Sequence, residues 1–131
     1  MVASHVPVIL LASRVQQLVY LIQRYTGNCG CKFLQMDYSS SILSVIVQNR
    51  PDVILLDVSQ ARTEGWIALR ELKSQSDTRS IPVILCATSE TDWLDCETEW
   101  RLLQPFLFSE FVKAVAETGI RIPTNTKEAS R

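Results

Sequence analysis

Histidine is almost absent from this 131-residue chain, and the single copy, His5, stands at the N-terminus. A hydrolytic triad therefore has no well-placed base, because His5 precedes the first predicted strand and reads as a solvated terminal residue. Glycine is scarce too, with four copies. The segment after the first apolar run is Leu11-Ala12-Ser13-Arg14, which lacks the Gly-rich turn that cradles phosphate in nucleotide-binding and flavodoxin-like proteins. No apolar run reaches the ~18 residues that span a bilayer, and no basic n-region leads into an h-region and cleavage site. A cytosolic protein without membrane contact is expected. Excess positive charge is also missing: 13 Lys and Arg stand against 14 Asp and Glu. They are scattered without a basic stripe, so direct nucleic-acid contact is not expected.

What is present is ordinary globular material. Hydrophobic residues make up 47% and charged residues 21%, enough for one core in a chain of single-domain size. Four cysteines occur, at 29, 31, 86 and 96. Cys-Gly-Cys is not the usual zinc spacing, and the strand assignments below put Cys29 and Cys31 at the opposite end of a parallel sheet from Cys86. Reduced structural thiols are the expectation.

Apolar runs alternate with helical patterns along the chain. Val6 to Leu11 reads as a strand buried on both faces. Ser13 and Gln16 have the spacing of a capping box, and Val15, Leu18, Val19, Ile22 and Tyr25 follow at helical period until Gly27. Cys31 to Met36 predicts a second strand. Ser39 to Asn49 predicts a helix with Ile42, Leu43, Ile46 and Val47 inward, ended by Pro51. Val53 to Leu56 is a β-prone run that ends on Asp57, and Glu64 to Ser74 predicts a helix with Ile67, Ala68 and Leu72 inward. Val83 to Cys86 follows Ile81-Pro82 as a fourth strand. Leu102-Leu103 and Ser109 to Glu117 supply a last strand and helix, capped by Gly119. Such alternation implies an α/β, doubly wound, five-stranded parallel sheet with right-handed crossovers, whose chemistry belongs at the C-terminal strand ends. Residues 1–118 form the domain, and 119–131 read as a polar tail or linker.

The stretch Pro51-Asp52-Val53-Ile54-Leu55-Leu56-Asp57, followed by Glu64-Gly65, Ile81-Pro82-Val83-Ile84 and Gln104-Pro105-Phe106, resembles the receiver domain of response regulators, over about residues 6 to 118. The resemblance implies a CheY-like, flavodoxin-like strand order 2-1-3-4-5 and a part in two-component or phosphorelay signal transduction. It also implies that Asp57 is the phosphoacceptor equivalent. Around Asp57 the family pattern is degenerate. The acidic pair that holds Mg²⁺ falls on Ala12 and Ser13. The strand-four hydroxyl falls on Ala87, with Thr88 next to it, and the lysine before Pro-Phe falls on Gln104. Mg²⁺ needs a near-octahedral oxygen shell, usually with carboxylates, and phosphoryl transfer to a carboxylate rests on charge neutralisation. Each lost donor or cation is commonly worth ~2.7–4 kcal/mol in the transition state, so Ala12, Ser13, Ala87 and Gln104 together predict a pseudo-receiver.

The expected function is therefore protein–protein interaction without phosphorylation, catalysis or cofactor. The alternative is a working receiver phosphorylated on Asp57, with Mg²⁺ as its cofactor. Asp37 lies too far from Asp57 to share an ion, about two strand spacings or ~10 Å, whereas Arg14 or Arg62 could pair with Asp57. The partner would be a sensor kinase, an output domain or another regulator. A homodimer through the last helix competes with Phe111, Val112 and Val115 being core. Between residues 89 and 101 the chain is shorter than the family pattern, so the helix between the fourth and fifth strands is expected to be short or absent. Glu90, Asp92, Asp95, Glu97 and Glu99 interleave there with Trp93, Leu94 and Trp100. The two readings are a solvated loop covering the sheet edge and a docking surface of Trp93, Trp100 and Arg101. The family's switching aromatic falls on Arg101, and Trp66 is expected to pack locally.

Overall fold

Three strands, apolar except for Asp57 at the end of one, set the architecture. In the computed structural model, described over residues 6–38, 42–59, 62–89 and 100–123, the order is β1 (Val8–Ala12), α1 (Gln16–Asn28), β2 (Lys32–Met36), α2 (Ile42–Asn49), β3 (Val53–Asp57), α3 (Arg62–Ser74), β4 (Val83–Ala87), β5 (Trp100–Leu103) and α4 (Phe108–Glu117). All strand pairs are parallel, in the order β2-β1-β3-β4-β5. Every residue of β3 and β4 is buried, whereas β2 and β5 are half exposed, as edge position dictates. The expected sheet and its order are present. Residues 90–99 lie outside the described part of the chain, and with them the expectation about a helix between β4 and β5.

Side-chain alternation divides the core in two. Ile9, Leu11, Val53, Leu55, Ile84 and Cys86 face α1 and α4, where Leu18, Ile22, Phe111 and Val115 meet them. Leu10, Ala12, Ile54, Leu56, Leu85 and Ala87 face α2 and α3, against Ile42, Ile46, Ala68 and Leu72. Phe111, Val112 and Val115 are buried in the first cluster, so these three face the core and not a dimer partner. Tyr25 closes that layer by donating its hydroxyl to the Phe106 carbonyl at 3.2 Å and packing its ring against Phe106, Phe108 and Phe111. Ile120 and Ile122 also pack on this cluster.

Three local expectations change. Gly27 does not stop α1, which runs to Asn28; the left-handed turn falls on Gly30, at φ 72°, where the absence of a Cβ makes it cheap. Val47 and Ile67, predicted inward, are 41% and 50% exposed, because the sheet accepts only Ile42 and Ile46 from α2 and Ala68 and Leu72 from α3. Ser13 and Gln16 form no capping box: the cap position belongs to Val15, without a side-chain bond, and the Ser13 hydroxyl is used elsewhere.

Cys29, Cys31 and Cys86 are free thiols, with the first two at the N-terminal end of β2 and the third near the C-terminal end of β4, as the strand assignments required. Cys96 lies outside the described residues. Burial pushes the Cys29 thiol up to about 12, with the neighbouring Cys31 adding to it; Cys31 rises to about 11, from burial and the charge of Asp52.

Thr26 on α1 is fully buried, and its hydroxyl has no hydrogen-bond partner among the described residues. Replacing it with the near-isosteric valine removes a buried, unsatisfied donor. Thr26→Val is therefore expected to stabilise the fold by up to about 1 kcal/mol, seen as a rise in the urea midpoint with an unchanged slope.

Candidate functional site around Asp57

Parallel register brings the site together. Ala12 of β1 pairs with Leu56 of β3, and Asp57 pairs with Cys86 of β4, so one step further along β1 places Ser13 beside Asp57. The two share a face by the same alternation that puts Leu11 and Leu55 in one cluster. Asp57 is 1% exposed, and a carboxylate that deep must be hydrogen-bonded to remain charged. Ser13 Oγ donates to Asp57 Oδ2 at 2.7 Å, and the Ser59 amide donates to Oδ1 at 2.9 Å, joined there by the Ser59 hydroxyl. Both carboxylate oxygens thus accept bonds from the chain's own serines.

The scaffold holds these donors in place. Ser13 Oγ also accepts the Val15 amide at 3.0 Å, and the Ser13 amide donates to the Met36 carbonyl at 2.9 Å. Gln35 Nε2 donates to the Ser13 carbonyl at 2.8 Å. Tyr38 donates its hydroxyl to the Asp57 carbonyl at 3.0 Å. Burial, and then the charge of Asp57, pushes the Tyr38 phenol far above its ordinary range. Gly65 allows α3 to approach: a Cβ there would stand 2.8 Å from Val58 Cγ1 and 3.5 Å from the Asp57 carbonyl.

The other expected site residues are placed as follows. Ala12 and Ala87 are fully buried and apolar, facing α2 and α3. Thr88 is exposed just past β4. Gln104 is half-buried, its amide donating to the Ala87 carbonyl at 2.8 Å before a cis bond to Pro105. Arg14 does not pair with Asp57; its guanidinium reaches Glu64 at 3.3 Å on the surface, because Asp57 is already enclosed. The Arg62 side chain lies outside the described part. Asp37 follows β2, and β1 lies between β2 and β3, which keeps it from Asp57. Trp100 is half-buried against the α1–α4 cluster, as Trp66 is against the other, so the Trp100 ring adds to the core. Arg101 is exposed, and Trp93 lies outside the described residues. Ser59 and Tyr38 were missed by sequence reasoning; the spacing of Ser59 two residues after a strand-ending carboxylate is a turn signal that could have found the first.

These residues do not fit a Mg²⁺ ion. Among the described residues no group of three or more His, Cys, Asp or Glu side chains could hold a metal. Among the described residues Asp57 is the only carboxylate at the centre of the site, and the positions beside it hold a methyl group and a hydroxyl that already donates inward.

Two predictions follow from this geometry. Ser13→Ala leaves one buried carboxylate oxygen without its donor and is expected to cost about 1–3 kcal/mol of stability, measured by urea denaturation. Alkaline pH is expected to destabilise the fold. Tyr38 and the buried thiol of Cys86 both have raised folded-state pKa values, so their contribution is complete below the unfolded values. It is lost as pH rises beyond about 8.5 for the thiol and about 10 for the phenol, where the unfolded chain releases protons that the native state keeps. Equilibrium unfolding from pH 8 to 11 should show the decline, and Tyr38→Phe should flatten its upper part.

Comparison with known proteins agrees with this architecture. No protein-family model matches the chain. Over 74 residues it is 29% identical to the protein PilH of Pseudomonas aeruginosa, a match covering 56% of this chain and 61% of PilH, so the aligned part spans about three-fifths of that relative's length. The N-terminal signal receiver domain of a Bacteroides fragilis two-component response regulator superposes with a TM-score of 0.68 at 21% identity, covering 89% of this chain and 99% of that domain. The chemotaxis protein CheY4 of Vibrio cholerae gives 0.75 at 16% identity, covering 87% and 99%. With its five parallel strands in the order β2-β1-β3-β4-β5, the chain has the CheY-like fold of response-regulator receiver domains.

Proposed function

We propose that this chain is an atypical receiver domain of two-component or phosphorelay signalling that works through protein contacts without phosphorylation, catalysis or a bound metal. The observation that carries this reading is the serine enclosure of Asp57, with Ser13 at 2.7 Å on one carboxylate oxygen and the Ser59 amide at 2.9 Å on the other. A phosphodonor must reach an Asp57 oxygen in line, and an anion meeting an anion needs a cation to neutralise the developing charge. In this site both oxygens are met by neutral hydroxyl groups, which supply no positive charge, and Gln104 stands where the family's lysine would be. The enclosure holds the end of β3 in one arrangement without any phosphoryl group.

Partners of the kind expected for such a module are a sensor kinase, an output domain or another regulator. Among the described residues no helix is long and apolar enough to cross a membrane.

The proposal is tested by incubating the protein with Mg²⁺ and acetyl phosphate and measuring intact mass beside an Asp57→Asn control. The expected outcome is no added phosphoryl mass on either protein, and no saturable Mg²⁺ response in calorimetry. A phosphoryl adduct on the parent protein that the control lacks would overturn the reading and make Asp57 a switch.

A further inference from the structure

The apolar surplus on α2 and α3 has a definite place. α2 carries Ile42, Leu43, Ile46 and Val47, yet only Ile42 and Ile46 are buried. Leu43 stays half-buried and Val47 exposed, one helical turn apart on the same stripe. Across from them on α3, Ile67 is 50% exposed. Between the two helices lies a groove of about 410 Å³, within the ~300–1,000 Å³ range of ligand sites. Its floor is Ala68 and Ile42, its walls are Leu43 and Ile67, and Tyr38 lines it as well.

The groove also has a charge pattern. Glu64 and Glu71 line it, both exposed, seven residues apart on one face of α3. At 1.5 Å rise per residue they stand about 10 Å apart along the axis, with Ile67 between them. Glu64 is partly neutralised by Arg14, which leaves Glu71 as the stronger anionic end. An apolar trough with two acidic groups about two turns apart complements a helix with an apolar stripe flanked by cations.

We infer that the α2–α3 groove is a docking site for an amphipathic helix of a partner protein, with its apolar stripe between Leu43 and Ile67 and a lysine or arginine against Glu71. This names a partner class for the protein-contact module proposed above and rests on that reading, but its test does not involve phosphorylation of Asp57. Tyr38, whose hydroxyl bonds the Asp57 carbonyl, lies under the docked helix, so the same residue touches partner and site.

The probe is a fluorescein-labelled synthetic helix of about five turns with leucine at i, i+4, i+7 and i+11 and lysine on both flanks, beside a counterpart with glutamate for lysine. Binding is read by anisotropy on the whole chain and mapped by amide chemical shifts. The lysine peptide is expected to bind saturably, at least ten-fold tighter than its counterpart, with shifts centred on Leu43, Ile67 and Glu71. Ile67→Asp should weaken it ten-fold or more. Glu71→Lys should weaken it and strengthen the glutamate peptide. Both side chains are exposed, so neither variant threatens the fold. No saturable binding, shifts centred elsewhere, or affinity indifferent to both substitutions would overturn the inference; a groove suited to a small apolar molecule would give that last result for Glu71→Lys. Failure of this test with no phosphoryl adduct on Asp57 would remove the groove and leave the proposed function standing.

Discussion

A carboxylate buried at the end of the central strand must find donors, and the arrangement around Asp57 follows from that requirement. At 1% exposure it can draw little on water, and leaving a charge unpaired at such depth costs far more than any single contact returns. The chain supplies two serines. Ser13 is delivered by parallel register with β1, and Ser59 by the turn immediately after β3. Ser13 is itself held in place, between the Met36 carbonyl, the Val15 amide and the Gln35 side chain. Small changes in the β1–α1 connection would therefore be felt at Asp57.

The same connection accounts for the start of α1. A serine followed three residues later by glutamine has the look of a helix cap, in which the serine oxygen accepts an amide of the first helical turn. Here the Ser13 hydroxyl is aligned with Asp57 Oδ2, to which it donates, while its oxygen accepts the Val15 amide, and α1 begins at Gln16 with Val15 in the cap position. Local preference yields to the more costly tertiary demand. Arg14 shows the converse: with Asp57 already satisfied, the guanidinium turns outward to Glu64, where a surface pair adds little stability.

On the α2–α3 face, geometry limits how much of the apolar sequence can be used. The central strands present Leu10, Ile54, Leu56 and Leu85 to that side, and two helices of modest length cover them with one inward row each. Of the apolar side chains left over, Leu43 and Ile67 line the groove beside Tyr38. On the opposite face α1 and α4 bury Leu18, Ile22, Phe111 and Val115 completely, with a tilted cluster of Tyr25, Phe106, Phe108 and Phe111 closing the layer.

The strands, their parallel alternation with helices and the position of Asp57 at a strand's C-terminal end were all legible in the sequence, because apolar runs such as Val53 to Leu56 and Val83 to Cys86 have no other stable use than strands buried on both faces. The replacement of carboxylates by Ala12 and Ser13 was equally legible, since it is a matter of residue identity. What Ser13 does was not. Whether a serine proton finds a carboxylate 44 positions away depends on register between strands, which no local pattern encodes. For the same reason the inward positions assigned to Val47 and Ile67 failed: periodicity says which residues share a helix face, but only the packing of that helix on the sheet decides how wide a face is covered.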